Sequence, residues 1–469
     1  MLMALLLPSA MRAKTVTVAS LADDPYSSVA RVSSHFYRLK NDLRINTDDM
    51  LVIDNGDTLA IPAGIFIDVY GSININPADK VVLTACGDNE IPGGVRLNAD
   101  CDASFRNTVF LNVAIENAST KGMTVENCRF EGTKGKPCIK LSKVSDGNVV
   151  RACQFLNAQR PAIQNRSRVD ILTGKMNHVY NGVLFENNVV TNCNTTNQSG
   201  FAMVDLASGV DYMVTVRGNK VSGTHINGPG GIDISHIVYA QGAHKVYVTD
   251  NEVRDCSNGI RVEGPVDVEI SGNILTDNRW THRTIFHHRG AGIILLNESL
   301  HADGTAVVQK NNIKGGLRGI VVAMGFNANL GTVNGEYVTG GFNQFSDNGT
   351  WESDTALSEP GVSWDPQKHP CDLYVYATIE GKPLYAQKNH WGNASTEAEV
   401  AARIQSNHVD VVYTPFDTSG VEGVQTDSDT PAQYFGLDGT VFGSSVPESG
   451  VYIMRKNGKT SKVFINQNK

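Results

Sequence analysis

Hydrophobic residues in the middle of the chain fall at alternate positions in short bursts, and the bursts recur. From Val246 to Leu275 the sequence reads VYVTDNEVRDCSNGIRVEGPVDVEISGNIL. Val246-x-Val248-x-x-Asn251-x-Val253 is followed by Val268-x-Ile270-x-x-Asn273-x-Leu275, with a Gly-Ile-x-Val segment, Gly259 to Val262, between them. Period-two alternation predicts strands buried on one side. The Asn after each first strand predicts a tight turn, because its short amide tolerates left-handed backbone and bonds nearby main chain. Strand, Asn corner, strand, third strand and return describe one coil of a parallel β-solenoid.

The phrase extends along most of the chain. Strand-like segments begin at Asp48 with MLVIDNG, DTLAIPAG, IFIDVYGSININ and KVVLTACG. Two coils place a cysteine at the corner, MTVENCRF with Cys128 and NVVRACQF with Cys153. Asn then takes that place at Asn188, Asn219, Asn251, Asn273, Asn311, Asn343 and Asn389, at spacings of 22 to 46 residues. Coil length is held while loops of different size are inserted, which is how solenoids vary one face. Equivalent residues in such a stack lie about 4.8 Å apart, so the amides can bond along the pile as a purely architectural ladder.

The ends have another texture. In 24–43, DPYSSVARVSSHFYRLKNDL, the spacing of Val29, Val32, Phe36 and Leu39 predicts a short helix that covers the open first coil. The N-terminal cap is expected over 14–47 and the solenoid, of roughly a dozen coils, over 48–416. The closing stretch, YAQKNHWGNASTEAEVAARI, predicts a helix over Glu397–Ile404, then a last strand ending near Pro415. A polar linker over 417–433 leads to a small β module over 434–469. The opening MLMALLLPSAMRA has the apolar run and small residues of a secretory signal, expected over 1–13.

Composition narrows the function classes. A net charge of −8 argues against nucleic acid as a partner, and no apolar run is long enough to span a bilayer. The eight cysteines are scattered without a CxxC pair, and Cys128 and Cys153 are expected as stacked buried thiols. GxSxG, P-loop and HExxH patterns are missing.

Aligning the Gly-Ile-x-Val segments gives an outward column: Lys140, Gln164, Asp205, Asp233, Arg261, Ile294, Val321. Asp205 and Asp233 become neighbours about 4.8 Å apart, with Arg261 above them. Two stacked carboxylates can serve as an acid/base pair, close to the ~5–5.5 Å of retaining glycosidases. They can equally hold a hard cation such as calcium, or form a plain surface ion-pair ladder with Arg261. His236 and Glu263 add titratable groups beside the column. The insertion TDNRWTHRTIFHHRG, Thr276 to Gly290, brings Arg279, Trp280, His282, Arg283, His287, His288 and Arg289 to the same strand. Tryptophan faces stack on sugars and Arg pairs bidentately with carboxylates, so this basic aromatic loop fits an acidic glycan.

The coils over 48–416 resemble the right-handed parallel β-helix, or pectin-lyase-like, superfamily. That resemblance implies an all-β fold and a polysaccharide lying along the strand that carries Asp205, Asp233 and Arg261. Members include lyases, hydrolases, epimerases and non-catalytic surface proteins, and the hydrolase Asn-x-Asp…Asp-Asp…Gly-His-Gly…Arg-x-Lys set is missing here. Two expectations follow: a secreted polysaccharide lyase or glycoside hydrolase, or a surface adhesin or glycan-binding scaffold. LDGTV, SGVYIM, KNGK and KVFIN near the C-terminus are similar to the sorting tail of the type IX secretion route in the Bacteroidetes. This implies export and attachment at the outer surface through the tail.

Overall fold

The computed structural model describes residues 14–87, 93–165, 179–196, 202–209, 211–223, 229–235, 245–279, 290–297, 304–323, 325–349, 371–376 and 382–418. Backbone alone is described for the strands Arg168–Val169, Met176–Asn177, Gln433–Phe435, Val441–Gly443, Gly450–Lys456 and Lys459–Ile465. Three long sheets dominate: A and B with 14 strands each, and C with 13. Each coil visits them in turn, as in Lys245–Thr249 (A), Glu252–Arg254 (B) and Ile260–Glu263 (C), before Asp267–Ser271 returns to A. Successive coils pair in parallel, Val246 with Val268 and Ile260 with Ile293. The chain is a right-handed parallel β-helix, the hand that parallel crossovers take.

Stacking starts earlier than the repeat pattern implied. Lys14–Thr17 already pairs with Asp49–Val52 in sheet A. The cap helix is Val18–Ala22, with Val18 buried and Thr17 closing a capping box with Ser20. The helix expected over 24–43 is instead an antiparallel hairpin, Val29–Ser33 with Phe36–Leu39, followed by the strand Leu43–Ile45. The reason is periodicity: Tyr37 and Leu39 are buried while Phe36 and Arg38 are exposed, which is period two. At the other end the helix is Glu397–Ala401, shorter than expected, because Ile404–Asn407 joins sheet C against Leu373 to Tyr376.

Contacts divide the chain into two units, Met1–Thr418 and Ser419–Lys469. The second contains a four-stranded antiparallel sheet. Residues 1–13 and 419–432, where a signal and most of a linker are expected, lie outside the described residues. Among the described residues no helix is long and apolar enough to cross a membrane.

One hydrophobic core runs the length of the helix, from Val16 to Val400. Phe110, Phe130 and Phe155 stack in it at 4.3 and 5.0 Å. At the A-to-B corner stands a ladder of buried polar side chains. All seven corner asparagines are buried and chained: Asn188 Nδ2 donates to Asn219 Oδ1 at 3.0 Å, Asn219 to Asn251 at 2.9 Å, and Asn251 to Asn273 at 3.0 Å. The chain continues through Asn311 and Asn343 to Asn389, each step 2.9 Å. Every link satisfies several groups. Asn251 Oδ1 accepts from both the backbone N–H and Nδ2 of Asn219, while its own Nδ2 also reaches Val216 O at 2.9 Å. Below Asn188 the cysteines take over, with Cys153 N–H donating to Asn188 Oδ1 at 2.9 Å and Cys128 N–H to Cys153 Sγ at 3.4 Å. All eight cysteines are free thiols.

One detail of the expected corner differs. The left-handed residue is the one before each ladder asparagine: Asn187, Gly218, Asp250, Gly272, Lys310, Phe342 and Lys388, with φ between 54° and 67°. The preceding residue makes the bend, and this turns the Asn amide inward to bond along the stack. Replacing Asn251 by Ala removes the side-chain acceptor of the Asn219 backbone N–H and Nδ2 and the side-chain donor to the Val216 carbonyl. The variant is expected to lose about 2 kcal/mol or more of unfolding free energy in a denaturant titration. Lys220→Ala, at an exposed strand position, should change it by less than about 0.5 kcal/mol.

Candidate functional site on the outer face of sheet C

Most connections between A and B are short, as with Asp250 and Asn251 between Thr249 and Glu252. The connection 330–343 is longer and holds an antiparallel hairpin, Thr332–Asn334 with Tyr337–Thr339. Most of the other long ones border sheet C. On its entry side lie 192–201, 223–229, 277–290 and 347–370. On its exit side lie 165–180, 236–244, 297–303 and 377–383. A flat outer sheet face with variable segments at both edges is the natural place for a binding surface.

Strand pairing sets the order of side chains on that face. Lys140 stands opposite Gln164, Gln164 opposite Asp205, Asp205 opposite Asp233, and Asp233 opposite Arg261. Glu263 pairs with Ser235 in the next outward column. In-register parallel strands put Asp205 and Asp233 on adjacent coils, about 4.8 Å apart. Both carboxylates are buried, Asp205 at 0% and Asp233 at 2% exposure, although they point away from the core. Gln164 Nε2 donates to Asp205 Oδ2 at 2.6 Å. The Arg261 guanidinium lies 3.5 Å from Asp233 and 2.6 Å from Glu263.

Arg279 is held in the turn after sheet B, bonded to the Asp277 carboxylate at 3.2 Å and the Gly315 carbonyl at 3.0 Å. His236, Trp280, His282, Arg283, His287, His288 and Arg289 lie outside the described residues.

The column also continues downward through residues that the glycine-marked alignment missed. Lys140 is opposite Glu116, Glu116 opposite Arg96, and Arg96 opposite Asp68. Lys140 Nζ bonds Glu116 at 2.6 Å and Ser142 Oγ donates to the same carboxylate. Burial pushes the Glu116 carboxyl up, but the bonds from Lys140 and Ser142 outweigh it and hold the group below its ordinary range. The missed signal was the in-out-in triplet, Ile67-Asp68-Val69, Val95-Arg96-Leu97 and Ile115-Glu116-Asn117, of which only the second is led by a glycine, Gly94.

Above Arg261 the face changes character. Arg261 pairs with Ile294, Ile294 with Val321, and Val321 with Tyr374. These residues form a second apolar cluster, with Leu296 and Ala323, on the outside of the sheet. Beside it Arg318 is buried with its guanidinium 4.8 Å from the Tyr374 ring, and burial pushes its pKa down to about 10.

Chemically, two adjacent carboxylates with a guanidinium can move a proton, neutralise an acidic sugar, or simply hold one another. Calcium is a poor match, since it takes about 6–8 oxygen ligands. Among the described residues no group of three or more His, Cys, Asp and Glu converges on a metal position, and Arg261 already supplies the positive charge at Asp233.

A family model described as a right handed beta helix region matches residues 175–336. Crystal structures of the periplasmic alginate epimerase AlgG also align with this chain. A single-site mutant matches at 13% identity over 85% of this chain and 83% of that one, with a TM-score of 0.38. The unmutated enzyme gives 13% identity, the same coverage and a TM-score of 0.33. A double mutant gives 11% identity over 86% and 84%, also at 0.33. No curated protein matches the sequence.

The Glu116–Lys140 pair yields a pH prediction. A carboxyl held below its unfolded pKa adds stability above that pKa and loses it as pH falls through the folded value. Lys140→Met should therefore be less stable than the parent by about 1 kcal/mol at neutral pH. The gap should close below the carboxylate range. Thermal unfolding across pH measures it, and a gap independent of pH would contradict the pairing.

Proposed function

We propose that this chain is an exported carbohydrate-active protein that takes a polysaccharide along the outer face of sheet C. The observation that carries the reading is the column Asp205–Asp233–Arg261, with Glu263 beside it, on a sheet with several long connections at each edge. Arg261 fits the carboxylate of an acidic sugar. Asp205 and Asp233 supply a proton donor and acceptor for lyase or hydrolase chemistry. The basic aromatic segment 276–290 lies in the connection entering this sheet and adds sugar-stacking and anion-binding residues. Export through 1–13 and surface attachment through 434–469 complete the reading.

A second reading has its own support. Asp205 and Asp233 are buried and engaged by Gln164 and Arg261, as in a structural ladder beneath a surface that binds glycan without turnover. Incubation with a panel of polyuronates and neutral glycans separates the two. Unsaturated uronate absorbance marks a lyase, new reducing ends without it mark a hydrolase, and retention alone marks a scaffold. For the enzyme, Asp205→Asn with Asp233→Asn should lower turnover by about 100-fold or more. Full activity in that variant would put the chemistry elsewhere. For the scaffold, Arg261→Ala should weaken retention of an acidic glycan about tenfold or more while the Asp variants leave it near the parent.

A further inference from the structure

Two aromatic rings stand on the outer face of sheet C in its first coils. In the strand Phe66–Val69 the side chains of Ile67 and Val69 enter the core, so Phe66 and Asp68 point outward. Tyr70, whose N–H still bonds Ile45 O, continues the outward set. Each ring carries a cation. The Arg96 guanidinium lies 3.3 Å from the Phe66 centroid, and Lys136 Nζ lies 4.5 Å from the same ring. Arg44, opposite Asp68 in register, lies 4.0 Å over Tyr70. Lys140, bonded to Glu116, completes the group.

The carboxylates of this region are engaged. Asp42 Oδ1 accepts from the Phe66 N–H at 2.8 Å, and Asp68 Oδ1 from Asn98 Nδ2 at 3.4 Å. Glu116 accepts from Lys140 and Ser142, each at 2.6 Å. Arg96 approaches Asp68 only to 3.8 Å. Among the described residues neither Arg44 nor Lys136 forms an ion pair, and a ring is what holds each of them. A ring attracts a cation without neutralising it. Burial pushes the Lys136 ammonium down; Glu116 opposes this, while Arg96 and Lys140 push the same way as burial. Sheet A treats its cations differently. There Arg106 and Arg151 bond Glu126 at 3.3 and 2.8 Å, and Arg217 bonds Glu186 at 2.6 Å.

We propose that Arg44, Arg96, Lys136 and Lys140 form an anion-binding patch of their own, which takes the carboxylate or sulfate groups of an acidic polysaccharide. The inference rests on the glycan reading above and adds a second contact surface to it. Asp205 and Asp233, 0% and 2% exposed, stand in the column between Lys140 and Arg261, so the patch is separate from Arg261. An anion placed here gains charge-assisted bonds and relieves the repulsion among cations that the rings leave unneutralised. From Arg44 to Lys140 the column climbs through Asp68, Arg96 and Glu116. Four steps of about 4.8 Å spread the cations over roughly 19 Å. That length suits a chain with repeated acidic groups and exceeds one small anion.

The full-length protein is titrated by calorimetry, at low and high salt, with polygalacturonate, dextran sulfate, neutral dextran and single-stranded DNA. It should bind an acidic glycan more tightly than dextran, with an affinity that falls as salt rises. Arg44→Gln with Lys136→Gln should weaken that binding about tenfold or more and flatten its salt dependence. Lys220→Ala, on sheet B, should leave it at the parent value. Thermal unfolding checks the fold of the double variant, and Arg44→Gln alone, at an exposed position, should shift the affinity in the same direction. Unchanged affinity in these variants overturns the patch while leaving the glycan reading intact. Tighter binding of dextran or of DNA than of either acidic glycan also overturns it. Association with no glycan at all overturns both.

Discussion

The buried asparagine stack at the A-to-B corner is the constraint on which the rest depends. Parallel coils offer equivalent positions about 4.8 Å apart, and an amide is the side chain that can both donate and accept along such a spacing. Between Asn188 and Asn389 each amide closes bonds to its neighbours and to the main chain of another coil. Losing a ladder residue would leave interior polar groups unpaired, at about 1–3 kcal/mol for each. Extra residues are accepted at this corner only ahead of the ladder position, as in 330–343, where a hairpin precedes Asn343 and Asn343 still bonds Asn311 and Asn389. Most of the other long connections fall at the two corners that border sheet C.

The ladder holds the coils from Asn188 to Asn389 in one register, and a slip of one residue would exchange inner and outer faces. Because the register holds, Asp205, Asp233 and Arg261 line up on the outside of sheet C although they are far apart in sequence. Lower coils continue the line with paired opposite charges, Lys140 with Glu116 and Arg96 with Asp68. Upper coils replace it with aliphatic and aromatic side chains. One geometric rule thus produces three stretches of surface, and the middle one stacks two buried carboxylates beneath a partly exposed guanidinium.

Much of this was legible in the residues alone. Seven asparagines marked seven corners, because a repeated polar residue inside an apolar pattern has few roles except bonding to itself. Alignment of the apolar flanking residues, anchored on the Gly-Ile-x-Val segment, gave the order of the column from Lys140 to Val321, and pairing reproduces that order. Glycine is needed there for space: a Cβ on Gly292 would lie 2.5 Å from Ile313 Cγ2. Below Lys140 the marker is intermittent, leading Arg96 as Gly94 but absent ahead of Glu116 and Asp68, and Glu116, Arg96 and Asp68 went unread. The N-terminal hairpin was misread because Val29, Val32, Phe36 and Leu39 sit at a spacing that serves a helix as well as two short strands. Burial of Asp205 and Asp233 had no local signature at all. It arises from groups distant in sequence, such as Gln164 on the coil below, and pattern reading along one strand does not reach them.

The central claim is that glycan recognition belongs to sheet C and to no other face. Amide hydrogen exchange, followed by mass spectrometry with and without a saturating acidic polysaccharide, addresses it directly. Added protection should concentrate in the segments that carry Lys140, Asp205, Asp233 and Arg261, and in the connections that border them. Sheets A and B should exchange as they do in the free protein. Protection centred on the outer faces of A or B, or on the unit beyond Thr418, would contradict the account.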